Sequence, residues 1–261
     1  MTSDLALHGQ VAWVVGASGA IGQAVAGALA DAGAQVFASS RQARTLEPLA
    51  RPAHGTREGC IEVLPVDVTS TKSVAAAVRH MMDSAGRIDI LVNTTTVPRF
   101  GAFETLGDEQ WSEVLDTKLM GYVRTLRAVL PVMAAQQYGR VVNITGRGGR
   151  QPTAAHLPGS CANAAVNLLT KGLADSYGAR NIRVNAVAPG PIRSDRLNRL
   201  LQASATANDR DAPGQLRMAS PIQRPGTPQD VADAVLYLIS PRSDYITGIV
   251  LQVDGGGTVT L

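Results

Sequence analysis

The stretch QVAWVVGASGAIGQAVAGALADAG, residues 10–33, decides the fold. Val11, Ala12, Trp13, Val14 and Val15 form a short apolar run that reads as a buried strand. It breaks at Gly16-Ala17-Ser18-Gly19-Ala20-Ile21-Gly22, and a helical pattern then runs through Val25, Ala28 and Leu29 to a stop at Gly33. Strand, glycine-rich turn and helix are the opening of a dinucleotide-binding βαβ unit. Small residues at such a turn let backbone N–H groups and the helix N-terminus approach a pyrophosphate. Gly16, Ser18, Gly19, Ile21 and Gly22 are therefore candidate cofactor contacts. A tight strand–helix turn without a ligand is the plainer alternative.

Working outward, strand patterns alternate with helices. Residues 34–39 give the second strand and 61–66 the third, ending at Asp67. Ser70 or Thr69 caps a helix that carries Val74, Ala77, Val78, Met81 and Met82 and closes at Gly86. Residues 88–92 and 140–145 are the fourth and fifth strands, separated by a long helical stretch from 108 to 135, bent or restarted near Pro131. A helix follows over 158–177, then strands over 182–187 and 249–253. Residues 41–59 read as a surface helix plus loop, and 194–225 as a long irregular insertion, a lid over the site. The pattern predicts one α/β domain over 1–261, a Rossmann-type doubly wound parallel sheet of about seven strands with helices on both faces.

The 261 residues carry 24 Lys+Arg against 21 Asp+Glu, a net charge of +3, with 45% hydrophobic and 17% charged residues. That balance fits a soluble globular enzyme-sized domain. The basic residues form no run and no aromatic-interleaved patch, so nucleic-acid binding has no support. The two cysteines, Cys60 and Cys161, form no metal-ligand or disulfide pattern, and no metal is expected. The first ten residues hold an acid and no apolar run, and no stretch is long enough to span a bilayer, so a cytoplasmic location is expected.

With these pieces in order, the chain resembles the short-chain dehydrogenase/reductase family over nearly its whole length. VGASGAIG stands where that family has TGxxxGxG, with Ala20 at the middle glycine. VDVT (66–69) resembles the stretch whose aspartate contacts adenine, which implies Asp67 and Val68 as cofactor residues. Asn93 opens what resembles the NNAG motif, altered here to Asn93-Thr94-Thr95-Thr96. RVNAVAPGPI (183–192) resembles the family's Pro-Gly stretch, implying that Pro189, Gly190 and Ile192 line the cofactor, with Ile192 at the nicotinamide carboxamide. Val253-Asp254-Gly255-Gly256 completes the set.

Members of this family carry an Asn-Ser-Tyr-Lys tetrad, in which Tyr handles the proton, Lys lowers its pKa and holds the ribose, Ser positions substrate and Asn supports a water relay. In register, those positions are Lys118, Gly146, Gly159 and Asn163: all four are replaced. No tyrosine lies within a one- or two-residue slip of position 159. The candidates left for chemistry are Lys118 and Asn163, which exchange the family's residue types, His156, and the hydroxyl of Thr145. Ser160 is a further hydroxyl, and Arg147 and Arg150 are candidate holders of an acidic substrate. Cys161 is expected as a small packed residue.

After the second strand comes Ser39-Ser40-Arg41, with no acid for the adenosine ribose. Ser40 and Arg41 thus point to a 2′-phosphate, and NADP(H) is expected to be preferred over NAD(H). The resemblance also implies a dimer or tetramer packed through helices around 115–132 and 158–177, where Ala128, Ala162 and Ala165 would permit close approach. The leading expectation is an atypical NAD(P)(H)-dependent oxidoreductase acting on a small carbonyl or alcohol with a non-standard proton relay. A nucleotide-binding sensor without turnover, and a lyase or hydrolase on the same fold, are the alternatives.

Overall fold

The computed structural model describes residues 6–52, 59–152, 154–194, 197 and 220–259. Seven parallel strands form one sheet in the order β3-β2-β1-β4-β5-β6-β7. They are β1 (Val11–Val15), β2 (Gln35–Ser39), β3 (Ile61–Val63), β4 (Ile90–Asn93), β5 (Gly139–Ile144), β6 (Ile182–Pro189) and β7 (Val250–Val253). The order reverses at β1, where β2 lies on one side and β4 on the other. In a doubly wound sheet a ligand crevice opens at that reversal, outside the carboxyl ends of the strands.

Alternation along the strands builds a core on each face. Ala12 and Val14 join α1 (Ala20–Asp31) and α6 (Pro228–Ile239) on one side. Val11, Trp13 and Val15 join α2 (Thr71–Ala85), α4 (Gly121–Gln136) and α5 (Leu157–Tyr177) on the other. Ser70 caps α2 by accepting from Ser73 N, and Gly86 ends it in the left-handed conformation that glycine adopts without strain.

Several expectations change. The helix over 108–135 does not break at Pro131, which sits on the exposed side of α4 where the unpaired carbonyl one turn earlier meets water. The irregularity is a π-helical turn, Leu115–Met120, between α3 (Asp108–Val114) and α4. Residues 41–52 hold two short 3₁₀ turns, Ala43–Thr45 and Glu47–Leu49, in place of a surface helix. β3 ends early because Pro65 lies just beyond, yet Leu64 N and Val66 N still bond to Ala38 O and Ser40 O. Helix α6 was not anticipated. Its signal is the capping box between Thr227 and Asp230, followed by Val231, Val235 and Leu238. Ala162, expected at a subunit contact, is buried within the chain against Val97 and Val114. Apart from Ser194, Leu197 and residues 220–225, the expected lid at 194–225 lies outside the described residues.

One buried polar chain ties the layers beneath the crevice. Thr125 Oγ1 donates to Asn93 Oδ1 (2.9 Å), Asn93 Nδ2 to Asn143 Oδ1 (3.0 Å), and Asn143 Nδ2 to Thr170 Oγ1 (3.0 Å). Helix α4, strands β4 and β5, and helix α5 are thereby locked in register. Replacing Asn143 with Ala would strand partners on both sides, and losing a buried partner costs about 1–3 kcal/mol. Urea denaturation should show that loss as a lower midpoint at unchanged slope; an unaltered midpoint would remove the chain from the stability argument.

Candidate functional site

The turn after β1 is shaped by close approach. Gly16 has φ of 88°, and a Cβ there would lie 2.6 Å from Thr94 Oγ1 and 2.8 Å from Thr95 N. A Cβ on Gly22 would lie 2.5 Å from Gly16 O, so the first turn of α1 rests directly on the loop. No side chain caps the N-terminus of α1, where Gly19 is the N-cap, and its first turn holds no acid. Ser18 and Gly19 are exposed and Ile21 is half-buried. An uncapped helix start beside a glycine loop is a setting for an anion.

Beyond β2, Arg41 is exposed, while the Ser40 hydroxyl donates to Gln42 O (2.9 Å) and lies 3.1 Å from Thr45 Oγ1. Asp67 Oδ1 accepts from Thr69 N (2.9 Å) and Thr69 Oγ1 (2.7 Å). Burial pushes the Asp67 carboxyl up, but the two Thr69 donors and then the charges of Arg41 and Arg124 outweigh it and hold it below its ordinary value. Arg41 and Asp67 thus belong to one electrostatic neighbourhood. Arg124, which sequence reasoning missed, donates to Val68 O (3.1 Å) and to Asp116 Oδ1 (2.6 Å). Val68 itself is buried, its side chain 3.0 Å from where a Cβ on Gly121 would sit.

The side chain of Asn93 is fully buried and bonded to Asn143 and Thr125, which leaves its backbone for any cofactor contact. On the far side of the sheet reversal, Pro189 ends β6, Gly190 N bonds to Val253 O, and Ile192 bridges to Gly226.

Lys118 sits in the π-helical turn and is only 5% exposed. Its ammonium donates to Ile144 O (3.2 Å) and Thr145 O (3.4 Å) at the end of β5, and lies 5.7 Å from the Tyr122 ring centroid. Asn163 does not pair with it: its Oδ1 is buried with no partner among the described residues. Thr145 is also buried, its hydroxyl donating to Val187 O (3.3 Å). Tyr122 is wholly enclosed and donates to Ile144 O (2.8 Å). Burial pushes its phenol well above its ordinary value.

The turn Arg147–Gly149 presses on α5. A Cβ on Gly146 would lie 3.0 Å from Asn163 Nδ2, one on Gly148 2.7 Å from Ser160 Oγ, and one on Gly149 2.7 Å from Asn167 Nδ2. Ser160 is therefore covered by the loop, and its hydroxyl has no partner among the described residues. Arg147 reaches Gly257 O (3.5 Å), Arg150 is exposed, and Cys161 is exposed instead of packed.

His156 is the largest departure from expectation. A Cβ on Gly159 would fall inside its imidazole, against Nε2, so the ring fills the space that a side chain at 159 would enter. Nδ1 donates to Arg99 O (2.8 Å), and the ring stacks on Phe100 with centroids 4.4 Å apart and planes 23° from parallel. Among the described residues no group of His, Cys, Asp and Glu could hold a metal ion, and no helix is long and apolar enough to cross a membrane.

Comparison with known proteins extends over almost the whole chain. The family model described as enoyl-(acyl carrier protein) reductase matches residues 16–258. The 3-oxoacyl-(acyl carrier protein) reductase of Vibrio cholerae is 33% identical over 250 residues, 96% of this chain and 98% of that one. The L-sorbose reductase of Gluconobacter frateurii, solved with NADPH and L-sorbose, matches with a TM-score of 0.90 and 29% identity over 99% of this chain and 100% of that one. The gluconate 5-dehydrogenase of Burkholderia cenocepacia, solved with NADP and tartrate, gives 0.89 and 28% over 100% and 99%.

The overlap at Gly159 makes a direct test. Gly159→Ala should force the His156 ring off Phe100, seen by NMR as loss of the ring-current shift on the imidazole protons. Retention of that shift would show that the loop gives way instead of the ring.

Proposed function

Because the chain belongs to the short-chain dehydrogenase/reductase family, we propose that it is an NADP(H)-preferring oxidoreductase of a small carbonyl or alcohol, working with a non-standard proton relay. The observation that carries this reading is the glycine cradle at Gly16 beside the uncapped start of α1. Its geometry fits a pyrophosphate, which needs backbone donors and no side chain in the way. Arg41 would take the 2′-phosphate, with Asp67 and Val68 toward the adenine and Pro189, Gly190 and Ile192 toward the nicotinamide. The NADP and NADPH named for the two similar structures support this choice. When bound, such a cofactor supplies or accepts the hydride.

The chain's own task is the charge on the substrate oxygen. The family's tetrad positions hold Lys118, Gly146, Gly159 and Asn163, so no phenol stands ready to donate. Lys118 supports the relay because its ammonium is buried at the end of β5, next to Thr145. A fixed positive charge in a low-dielectric wall stabilises a developing oxyanion. Asn163 and Thr145 would hold neighbouring polar groups. The glycine at 159 favours one second reading, a protein that binds the cofactor without turnover.

Titration with NADP(H) and NAD(H), followed by a turnover screen, separates the two. NADP(H) should bind more tightly, and Arg41→Ala should erase a difference of about 1.5–3 kcal/mol, the worth of a charge-assisted contact. Gly16→Val should abolish binding of both. Turnover abolished by Lys118→Ala supports the relay; binding with no turnover of any carbonyl or alcohol favours the second reading; equal affinities remove Arg41 from the site.

Assembly as a dimer or tetramer through α4 and α5 belongs to the same proposal. Leu168 is 77% exposed on α5 and would lie at that contact. Sedimentation at micromolar protein should give a dimer or larger, and a monomer would end the idea.

A further inference from the structure

The segment after β7 is wound about one side chain. Asp254 is only 9% exposed. Its Oδ1 accepts from Gly256 N (3.0 Å), and its Oδ2 from Thr258 N (2.8 Å) and Thr258 Oγ1 (2.5 Å). Gly257 N donates in addition to Asp254 O (3.2 Å). Gly255 and Gly256 take φ of 64° and 80°, a region that glycine enters without strain. Residues 254–258 are thereby drawn into a compact turn whose centre is the Asp254 carboxyl.

This turn is fastened outward as well. Gly190 N donates to Val253 O (3.1 Å), and a Cβ on Gly190 would lie 2.9 Å from Asp254 Cβ, so the end of β6 passes directly against it. Ile222 N donates to Gly255 O (3.3 Å). Val259 N donates to Gln151 Oε1 (3.0 Å), and Arg147 reaches Gly257 O (3.5 Å). A turn that only ended β7 would need its local bonds alone. The contacts of Gln151 and Arg147 instead tie it to the loop after β5, 108 and 110 residues away in the chain.

That loop needs such a hold. Gly146, Gly148 and Gly149 give it no side chain to anchor, and beneath it the Ser160 hydroxyl and Asn163 Oδ1 are buried with no partner among the described residues. Covering unpaired polar atoms is unfavourable, so the loop's place on α5 has to be maintained by contacts elsewhere. The bond from Gly149 N to Gly146 O (3.0 Å) shapes the loop without attaching it to anything. The bonds from the turn after β7 do attach it.

We propose that Asp254 is a positioning residue: through residues 255–259 it holds the loop after β5 against α5, and so sets the spacing of positions 146 and 163. The proposal rests on reading those two positions as part of the active site. Asp254 acts through the loop and not on the substrate.

Amide hydrogen exchange, followed by NMR on the full chain, tests this. The loop is read at the amides of Gly149, Arg150 and Gln151, and the site at the side-chain amide of Asn163. Val92 on β4 and Val142 on β5 serve as references. Asp254→Asn leaves one acceptor oxygen for several donors and should speed exchange at the loop and at Asn163 roughly tenfold, with the references unchanged. Thr258→Val removes a single bond and should act in the same direction by roughly threefold; it decides the matter if Asp254→Asn loosens the whole fold. Gln151→Ala should also free the loop. Adding Asp254→Asn to it should then give less than the product of the separate effects, because both work through one attachment. A purely local role in ending β7 would leave the Asn163 signal where it is. A rise confined to residues 256–259, an equal rise at Val92 and Val142 with Thr258→Val, or effects that multiply in the double variant overturns the proposal. NADP⁺ affinity is measured separately. Normal NADP⁺ binding beside an unresponsive loop ends the positioning role alone. A responsive loop without NADP⁺ binding ends the cofactor reading and leaves the attachment standing.

Discussion

The backbone of Gly16 passes so close to the start of the loop after β4 that no side chain fits between them. Its Cβ would collide with Thr94 and Thr95, and the Thr94 hydroxyl binds the carbonyls of Val15 (2.9 Å) and Gly16 (2.9 Å). This contact fixes the end of β1 against the end of β4, where the strand order reverses. Gly22 then seats α1 on the same loop. Those approaches set the start of α1 beside the carboxyl ends of β1 and β4, where the strand order reverses. A single added methyl at Gly16 would have to move a strand end, because the obstacles include backbone.

How much of this was legible follows from what each residue does locally. The Gly16–Gly22 turn, the Ser70 cap and the Gly86 stop are local events, and local chemistry announces them. Strand positions were readable because apolar runs bounded by glycine and polar residues have few other uses. The hydrogen bonds of Asn93 were not readable, since its partners Asn143 and Thr125 stand 50 and 32 residues away. A motif asparagine that holds the frame looks identical in sequence to one that touches a ligand. Pro131 misled because a proline costs a helix one hydrogen bond and a steric clash without always ending it, and the surrounding packing carries α4 through it.

Lys118 shows the other limit. A lysine in an amphipathic helix reads equally as a solvated side chain, and nothing in its neighbours announces a π-helical turn. The extra residue in that turn changes which side chains face inward, and Lys118 is among the buried ones. Burying an ammonium is costly unless oxygens receive it, and here two carbonyls at the end of β5 do so. An apolar side chain of similar length would fill the same space without that desolvation cost.

The same logic applies to the glycines around α5. A large side chain deleted from a packed site leaves a cavity, and cavities are destabilising in proportion to their volume. At Gly159 the space is refilled by the His156 ring, and at Gly146, Gly148 and Gly149 the loop descends onto Asn163, Ser160 and Asn167. Each of these glycines has a neighbouring side chain close against it. Among the described residues the side-chain oxygens of Ser160, Asn163 and Asn167 have no partner, and they lie on one face of one helix. Apolar packing alone would not retain three buried polar groups without partners, since each costs more than a hydrophobic replacement would. Close packing by the loop over 146–149 and the polar cost of the buried oxygens thus fall on the same helix, α5.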